Sequence, residues 1–424
     1  MKRNNYFLVI NLYVDSISRS VRSLVDKGLV ENPVVVVLTC QAEKYQDLEM
    51  DDIELIILPV DFDDSDKLRE LISPFVDSIS AVICRGDGHI QYLRKIIPHL
   101  PDYCKLPSLE ALETSTNKKL MRQKFLEDFP EISPKFVEVL NANKESIASV
   151  EAIMDYPVIV KPASLVSSML IQSCENREEL VVALNVVFGM IHSVYEREHR
   201  TDTPHVIVEE FLNGDFYSID AYRLDDDFYF CPPVGYLPAK SMGIDDFYLY
   251  KRWLPTSLTK EELSTANETC IKAMRATGLT YSVAHIELIK TSSGWKVIEL
   301  GPRLGRFRRI MYQIGYGIDH STNDILVRMN QPIKMKNKLR QFCCAYSIYP
   351  SREGKLRSIK GIEILEAMTE VSYLKRISAD GEMCKFAKNG GKALLEIIVN
   401  SANESRYQDV CRLIEEQIKA EIVD

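Results

Sequence analysis

Along the first hundred residues, short continuous apolar runs alternate with polar segments, the runs falling at 6–10, 34–38, 55–58 and 81–84. Apolar runs without alternation mark strands buried on both faces. Between the first two runs, residues 18–28 predict a helix closed by Gly28. Residues 1–108 are therefore expected to form a small parallel α/β sheet. No GxGxxG follows the first strand, so nothing there supports dinucleotide binding. Arg85-Gly86-Asp87 has the form of an adhesion tripeptide, yet it directly follows a buried-looking strand, and we give it no such role.

Pro107 opens a second stretch, in which residues 116–125 predict a basic helix capped by Thr116 or Asn117. Strands are expected at 156–162, ending on Lys161-Pro162, and at 206–214, with a helix at 261–278 that stops at glycine. Residues 336–424 look like a separate α/β unit, with a strand at 342–349, a turn at Gly390-Gly391 and a terminal helix at 405–422. The expected organisation is thus 1–108, 109–335 and 336–424.

Residues 281–301 carry the most information. Two strand-like runs flank residues 291–294, a hairpin signal. Ala284, Ile286, Leu288, Ile298 and Leu300 occupy even positions and should share the core face, leaving His285, Glu287, Val297 and Glu299 on the other. A turn centred on Ser293 sets Glu287 opposite Glu299. Facing like charges destabilise a sheet by about 0.2–1 kcal/mol, so the pair calls for a cation, and hard carboxylate oxygens suit Mg2+ or Mn2+. The same pattern also fits a solvent-facing hairpin whose glutamates pair with Lys290, Lys296 or Arg303.

Composition narrows the function classes. The 424 residues carry 61 acidic and 52 basic side chains, a formal net charge of -9, which disfavours a general nucleic-acid surface. Hydrophobic residues at 46% and charged residues at 27% are globular values. The N-terminus lacks a signal-peptide pattern, no apolar run approaches the roughly 20 residues of a membrane helix, and the ten cysteines have no ligand or disulfide spacing. A cytoplasmic protein with reduced thiols is expected.

Taken in order, Asn117-Lys118 opening a basic helix, Lys161 ending a strand, the segment 208–214, and Glu287 followed by Glu299 in Ile298-Glu299-Leu300-Gly301-Pro302-Arg303 resemble the ATP-grasp ligases. The likeness is greatest to the branch of the L-amino acid ligases and carbamoyl phosphate synthetase. It implies mixed α/β and α+β architecture: an ATP-grasp fold behind an N-terminal Rossmann-like (pre-ATP-grasp) domain, with a C-terminal lid-like α/β subdomain. It further implies an ATP-dependent carboxylate–amine ligase acting through an acyl phosphate, with amino acids among the molecules it could join. The alternative is a degenerate nucleotide-binding or regulatory protein of the same fold without ligase activity. ATP and Mg2+ (or Mn2+) would be the cofactors, a small carboxylate and a small amine the substrates, and a homodimer an admissible assembly, with no nucleic acid and no membrane as partners.

By the same resemblance Lys118 and Lys161 reach the nucleotide phosphates, Ser167 and Ser168 supply hydroxyls there, and Glu209, Glu210 and Leu212 form the segment that reads adenine. Glu287 and Glu299 bind the metal, and Arg303 and Arg306 face the acyl phosphate and orient the carboxylate substrate. The sequence departs from the family at three places. Gly301 stands where an asparagine metal ligand is common, residues 163–169 contain no glycine, and Phe216 replaces an acidic residue.

Overall fold

The computed structural model describes residues 5–11, 14–45, 50, 52–166 and 168–424. Strands β1 (Asn5–Ile10), β2 (Pro33–Thr39), β3 (Glu54–Pro59) and β4 (Ile79–Ile83) make a parallel sheet in the order β3-β2-β1-β4, as the continuous apolar runs predict. The helix expected at 18–28 runs over Val14–Asp26, and Gly28, at φ 68°, closes it by donating to the Val25 carbonyl. One face of this sheet, through Leu8, Val36 and Leu38, packs on Leu68 and Leu93. The other face, through Phe7, Val9 and Val35, shares its core with Tyr222, Val283 and Met311 further along the chain. That shared core holds the segment after β4 against the central sheet.

Strands β5 (Phe136–Val139), β6 (Val158–Pro162), β7 (Gln172–Cys174) and β8 (Val206–Glu210) form a small antiparallel sheet ordered β5-β8-β6-β7. The helix Arg177–Arg197 covers it. By length and composition this helix could cross a membrane, against the expectation that no stretch reaches that length. Its Leu180, Leu184, Val187 and Ile191 are spent on the core with Val158, Val160 and Cys174.

The central sheet contains β9 (Asp215–Leu224), β10 (Asp227–Phe230), β11 (Val234–Pro238), β12 (Leu249–Leu254), β13 (Ser282–Thr291) and β14 (Gly294–Gly301). The remaining strands are β15 (Phe342–Ile348), β16 (Gly354–Lys360), β17 (Val371–Arg376), β18 (Met383–Cys384), β19 (Leu395–Ser401) and β20 (Lys419–Val423). β15, β19 and β17 extend the central sheet, which runs β14-β13-β9-β11-β12-β15-β19-β17 with β10 beside β9. The C-terminal segment therefore completes the sheet that carries the hairpin. Its terminal helix is Glu404–Gln417, shorter than the expected 405–422, because residues 419–423 alternate and pair with β16, setting Ile422 beside Leu356.

The hairpin confirms one parity expectation and corrects another. Glu287 pairs with Glu299 and Ile286 with Leu300, but Leu288 pairs with Val297. The turn closes Thr291 on Gly294, a register that alone would set Glu287 opposite Ile298. One extra residue in β14, a bulge at Ile298, restores the two glutamates to each other. Val297 is consequently buried and Ile298 lines the cavity, the reverse of the expected alternation.

Candidate active site

The helix Lys118–Asp128 begins where expected, with the Asn117 side chain accepting from the Lys119 and Leu120 amides. Its first residue is buried: the Lys118 amide donates to the Ala163 carbonyl, while Nζ donates to the Leu165 carbonyl at 3.0 Å and lies 3.3 Å from Glu299 Oε1. Lys161, at the end of β6, is only 4% exposed, and its Nζ is 2.5 Å from Glu209 Oε2. Burial pushes the Lys161 ammonium down to about 8, with Arg122 and Lys118 adding to the effect and Glu209 opposing it. The other Glu209 oxygen accepts from Arg122 Nε at 3.0 Å. Burial alone would raise the Glu209 carboxyl, but Arg122 and Lys161 hold it below the usual range. Arg122 also donates to the Ile298 carbonyl at the bulge, tying the two lysines to the hairpin.

Both lysines, Ser168, Glu287, Glu299 and Arg303 line one cavity of about 290 Å³. Among them Ser168 donates to the Phe247 carbonyl at 3.2 Å from a backbone at φ 61°. Ser167 lies outside the described residues. The segment 209–212 behaves differently: Glu209 is enclosed by its two cations, Glu210 accepts from the Lys135 amide at 2.8 Å, and Phe211 is the residue of this segment that reaches the cavity wall, Leu212 not being among its lining residues.

Glu287 faces the cavity beside His285, whose Nε2 is 3.4 Å from its carboxylate. Burial disfavours the ionised Glu287, yet His285, Arg303 and Arg252 outweigh it and lower the carboxyl. His285 is held in turn by Asp220, on β9 directly opposite it in register. Asp220 Oδ1 is 2.6 Å from His285 Nδ1, and Oδ2 is 2.6 Å from His320 Nε2 and accepts from the Gly305 amide at 2.9 Å. Gly305 is required here, since a Cβ would stand 2.5 Å from the His285 ring. Burial would raise Asp220, but two imidazoles hold it well below the carboxylate range. A carboxylate with a depressed native pKa stabilises above its ordinary value, ~3.9, and loses that contribution as pH falls through the native one. We expect Asp220→Asn to cost about 3–5 kcal/mol, since it leaves two buried imidazoles without their shared charge. Thermal melting at neutral pH reads this, and an unchanged melting temperature refutes the network.

Arg303 Nε lies 2.5 Å from Asp87 Oδ1, and Asp87 raises the guanidinium pKa above its ordinary value in spite of burial. Asp87 is the last residue of the Arg85-Gly86-Asp87 tripeptide, which the fold thus turns inward, with Arg85 paired to the buried Asp324 at 2.8 Å. Arg306 also lines the cavity, but it is paired with Glu396 of β19 and its side chain is 53% exposed. The sequence reading missed Asp87, Asp220, Arg122, Arg252 and Glu396. Only Asp87 carried a signal, being placed just past the carboxyl end of a parallel strand, where open α/β sheets bind ligands.

Among the described residues no three His, Cys, Asp or Glu side chains converge as a closed metal cage. Two facing carboxylates that leave room for waters and phosphates form a donor set Mg2+ accepts, so the residues fit that ion.

Residues 154–310 match the ATP-grasp domain family. Over 100% of both chains the fold superposes on the L-amino acid ligase from Bacillus licheniformis, with a TM-score of 0.78 at 17% identity. It also superposes on the biotin carboxylase domain of the Hydrogenobacter thermophilus 2-oxoglutarate carboxylase, solved with MgADP, with a TM-score of 0.64 at 14% identity over 99% of this chain and 91% of that one. In sequence, the D-alanine–D-alanine ligase of Bacillus pumilus is 28% identical over 201 residues, 45% of this chain and 51% of the ligase. The chain spans about half the length of the curated relatives it matches.

Proposed function

We propose that this chain, an ATP-grasp protein, is an ATP-dependent ligase that joins a small carboxylate to a small amine through an acyl phosphate. The observation that carries this reading is the cavity in which Glu287 and Glu299 face each other beside Lys118, Lys161 and Arg303. The two lysines are placed to bind phosphate oxygens as point charges. Arg303, oriented by Asp87, has its guanidinium fixed for bidentate contact with a carboxylate or the phosphate transferred to it. Glu287 and Glu299 would hold Mg2+, which supplies neutralisation of charge developing on the phosphates. The substrate carboxylate attacks the γ-phosphorus of ATP with ADP as leaving group, and the amine then attacks the acyl carbon of the mixed anhydride, expelling phosphate and losing a proton to give the amide. Catalysis of this kind is positioning and electrostatics, so it needs no side-chain nucleophile.

In this reading residues 1–108 supply Asp87, 109–335 the nucleotide site, and 336–424 the strands that extend the central sheet beside it, with Glu396 holding Arg306. ADP release, measured with Mg-ATP against a panel of amino acids singly and in pairs, tests it; nucleotide binding with no release for any pair would instead support the regulatory alternative. The site departs from the family at Gly301, and a Cβ there would meet nothing closer than Asp87 Oδ1 at 3.4 Å. Gly301→Asn is expected to fit and to lower the Mg2+ concentration needed for half-maximal nucleotide binding, because an amide oxygen adds a hard ligand. An unchanged or higher requirement would show that Gly301 does not limit the metal site.

A further inference from the structure

The charges around the cavity do not cancel. Asp87 is committed to Arg303, Glu396 to Arg306, Glu299 to Lys118 and Glu287 to His285. Asp246 is occupied by the backbone amides of Phe247, Ala387 and Lys388. Arg252, in β12, lines the same cavity, is 7% exposed, and makes no ion pair among the described residues. Its Nη1 donates to the Leu249 carbonyl at 3.0 Å and to Ser347 Oγ at 3.1 Å, while Nε and Nη2 have no protein acceptor among the described residues. The guanidinium is fixed by stacking, 5.3 Å from the Phe307 ring centre and 5.9 Å from that of Tyr236. Arg308, fully buried and likewise without a carboxylate partner among the described residues, sits 5.2 Å from the same Tyr236 ring.

A buried charge without a direct ion pair is costly; Glu287 and Asp220 act on these two guanidiniums only beyond ion-pair distance, and both share one aromatic ring. An anion entering the cavity at Arg252 would find a planar fork with free donors already held in place. The phosphate lysines are elsewhere, on the helix Lys118–Asp128 and on β6, and Arg303 is already assigned to the reacting carboxylate. From this, and resting on the ligase reading above, we infer that Arg252 binds a carboxylate of the substrate pair that does not itself react. It makes Arg252 a specificity residue, and the anion is either a side-chain carboxylate of the acyl donor or the α-carboxylate of an amino acid serving as amine.

Two pairs of probes that differ in one charge distinguish these sources. With the full chain, Mg2+ and a non-hydrolysable ATP analogue, calorimetry compares L-glutamate with L-glutamine, and L-alanine with L-alaninamide. The expected result is at least tenfold tighter binding of the anionic member of one pair, abolished in Arg252→Met and partly kept in Arg252→Lys. The first pair identifies the donor side chain, the second the amine. The inference is overturned if neither pair discriminates in the wild type, if neither member binds, if Arg252→Met leaves the discrimination intact, or if that variant weakens the nucleotide analogue by the same factor, the mark of a phosphate ligand. Discrimination without ADP release for any pair would sink the ligase reading and leave this site standing, whereas ADP release without discrimination would do the opposite.

Discussion

Lys161→Ala is expected to weaken ATP binding by about tenfold to a hundredfold while the fold survives, since a hydrogen bond between charged groups is worth about 1.5–3 kcal/mol. The sequence presents this lysine as a strand-end residue whose loss costs little. In the structure it is buried and paired with Glu209. The fold should nevertheless persist, because Glu209 keeps Arg122 as a partner and is not left an orphan charge. A melting temperature lowered by several degrees together with retained secondary structure is the expected companion result. The wild type should also show a pH dependence that the variant lacks. With the ammonium at about 8, ATP affinity stays level below that pH and declines as pH rises through it, since only the protonated lysine attracts phosphate. Titration calorimetry at several pH values checks both claims, and an Ala variant with undiminished ATP affinity would remove Lys161 from the nucleotide site.

What the sequence made legible follows the range of the physical signal. Period-two alternation and short turns are local, so the hairpin, the shared face of Glu287 and Glu299 and the helix opening at Lys118 are readable from spacing. The bulge at Ile298 is not, since the alternation of two apolar neighbours is equally compatible with either of them facing the core; Arg122, far away in sequence, donates to the Ile298 carbonyl there. The inward turn of Asp87 depends on the seam between the first sheet and the central one. The isolation of Arg252 can only be seen once every neighbouring acid has a partner. At the C-terminus the helical pattern ran past Gln417 because five alternating residues are too few to overrule it, and only pairing with β16 decides them. Motif order pointed to the ATP-grasp likeness, while the groups that orient the cavity's side chains came from tertiary contacts.

The largest effect on turnover is expected in the double variant Glu287→Gln, Glu299→Gln. Each amide keeps the shape of the carboxylate and removes its charge; this relieves about 0.2–1 kcal/mol of cross-strand repulsion but takes a counter-charge from the buried Lys118 and His285, so the fold should persist with a lowered melting temperature. Single replacement of a group that acts on developing charge costs about 10²–10³ in rate, and the pair should bring ADP release to background. The singles should differ from one another. Glu299 also accepts an ion pair from Lys118, so Glu299→Gln frees that lysine for phosphate and should leave nucleotide affinity close to wild type while turnover collapses. Among the described residues Glu287 has an ion pair with His285 alone, and its loss should chiefly remove the metal. The stabilisation that Mg2+ and nucleotide give the wild type, about 2.7 kcal/mol at a hundred times Kd, should therefore shrink most in Glu287→Gln. Melting curves with and without Mg2+, set beside ADP release, separate the two roles. Full ADP release in the double variant would mean that the facing glutamates are structural, and the cavity would then have to be read as a nucleotide site without a metal.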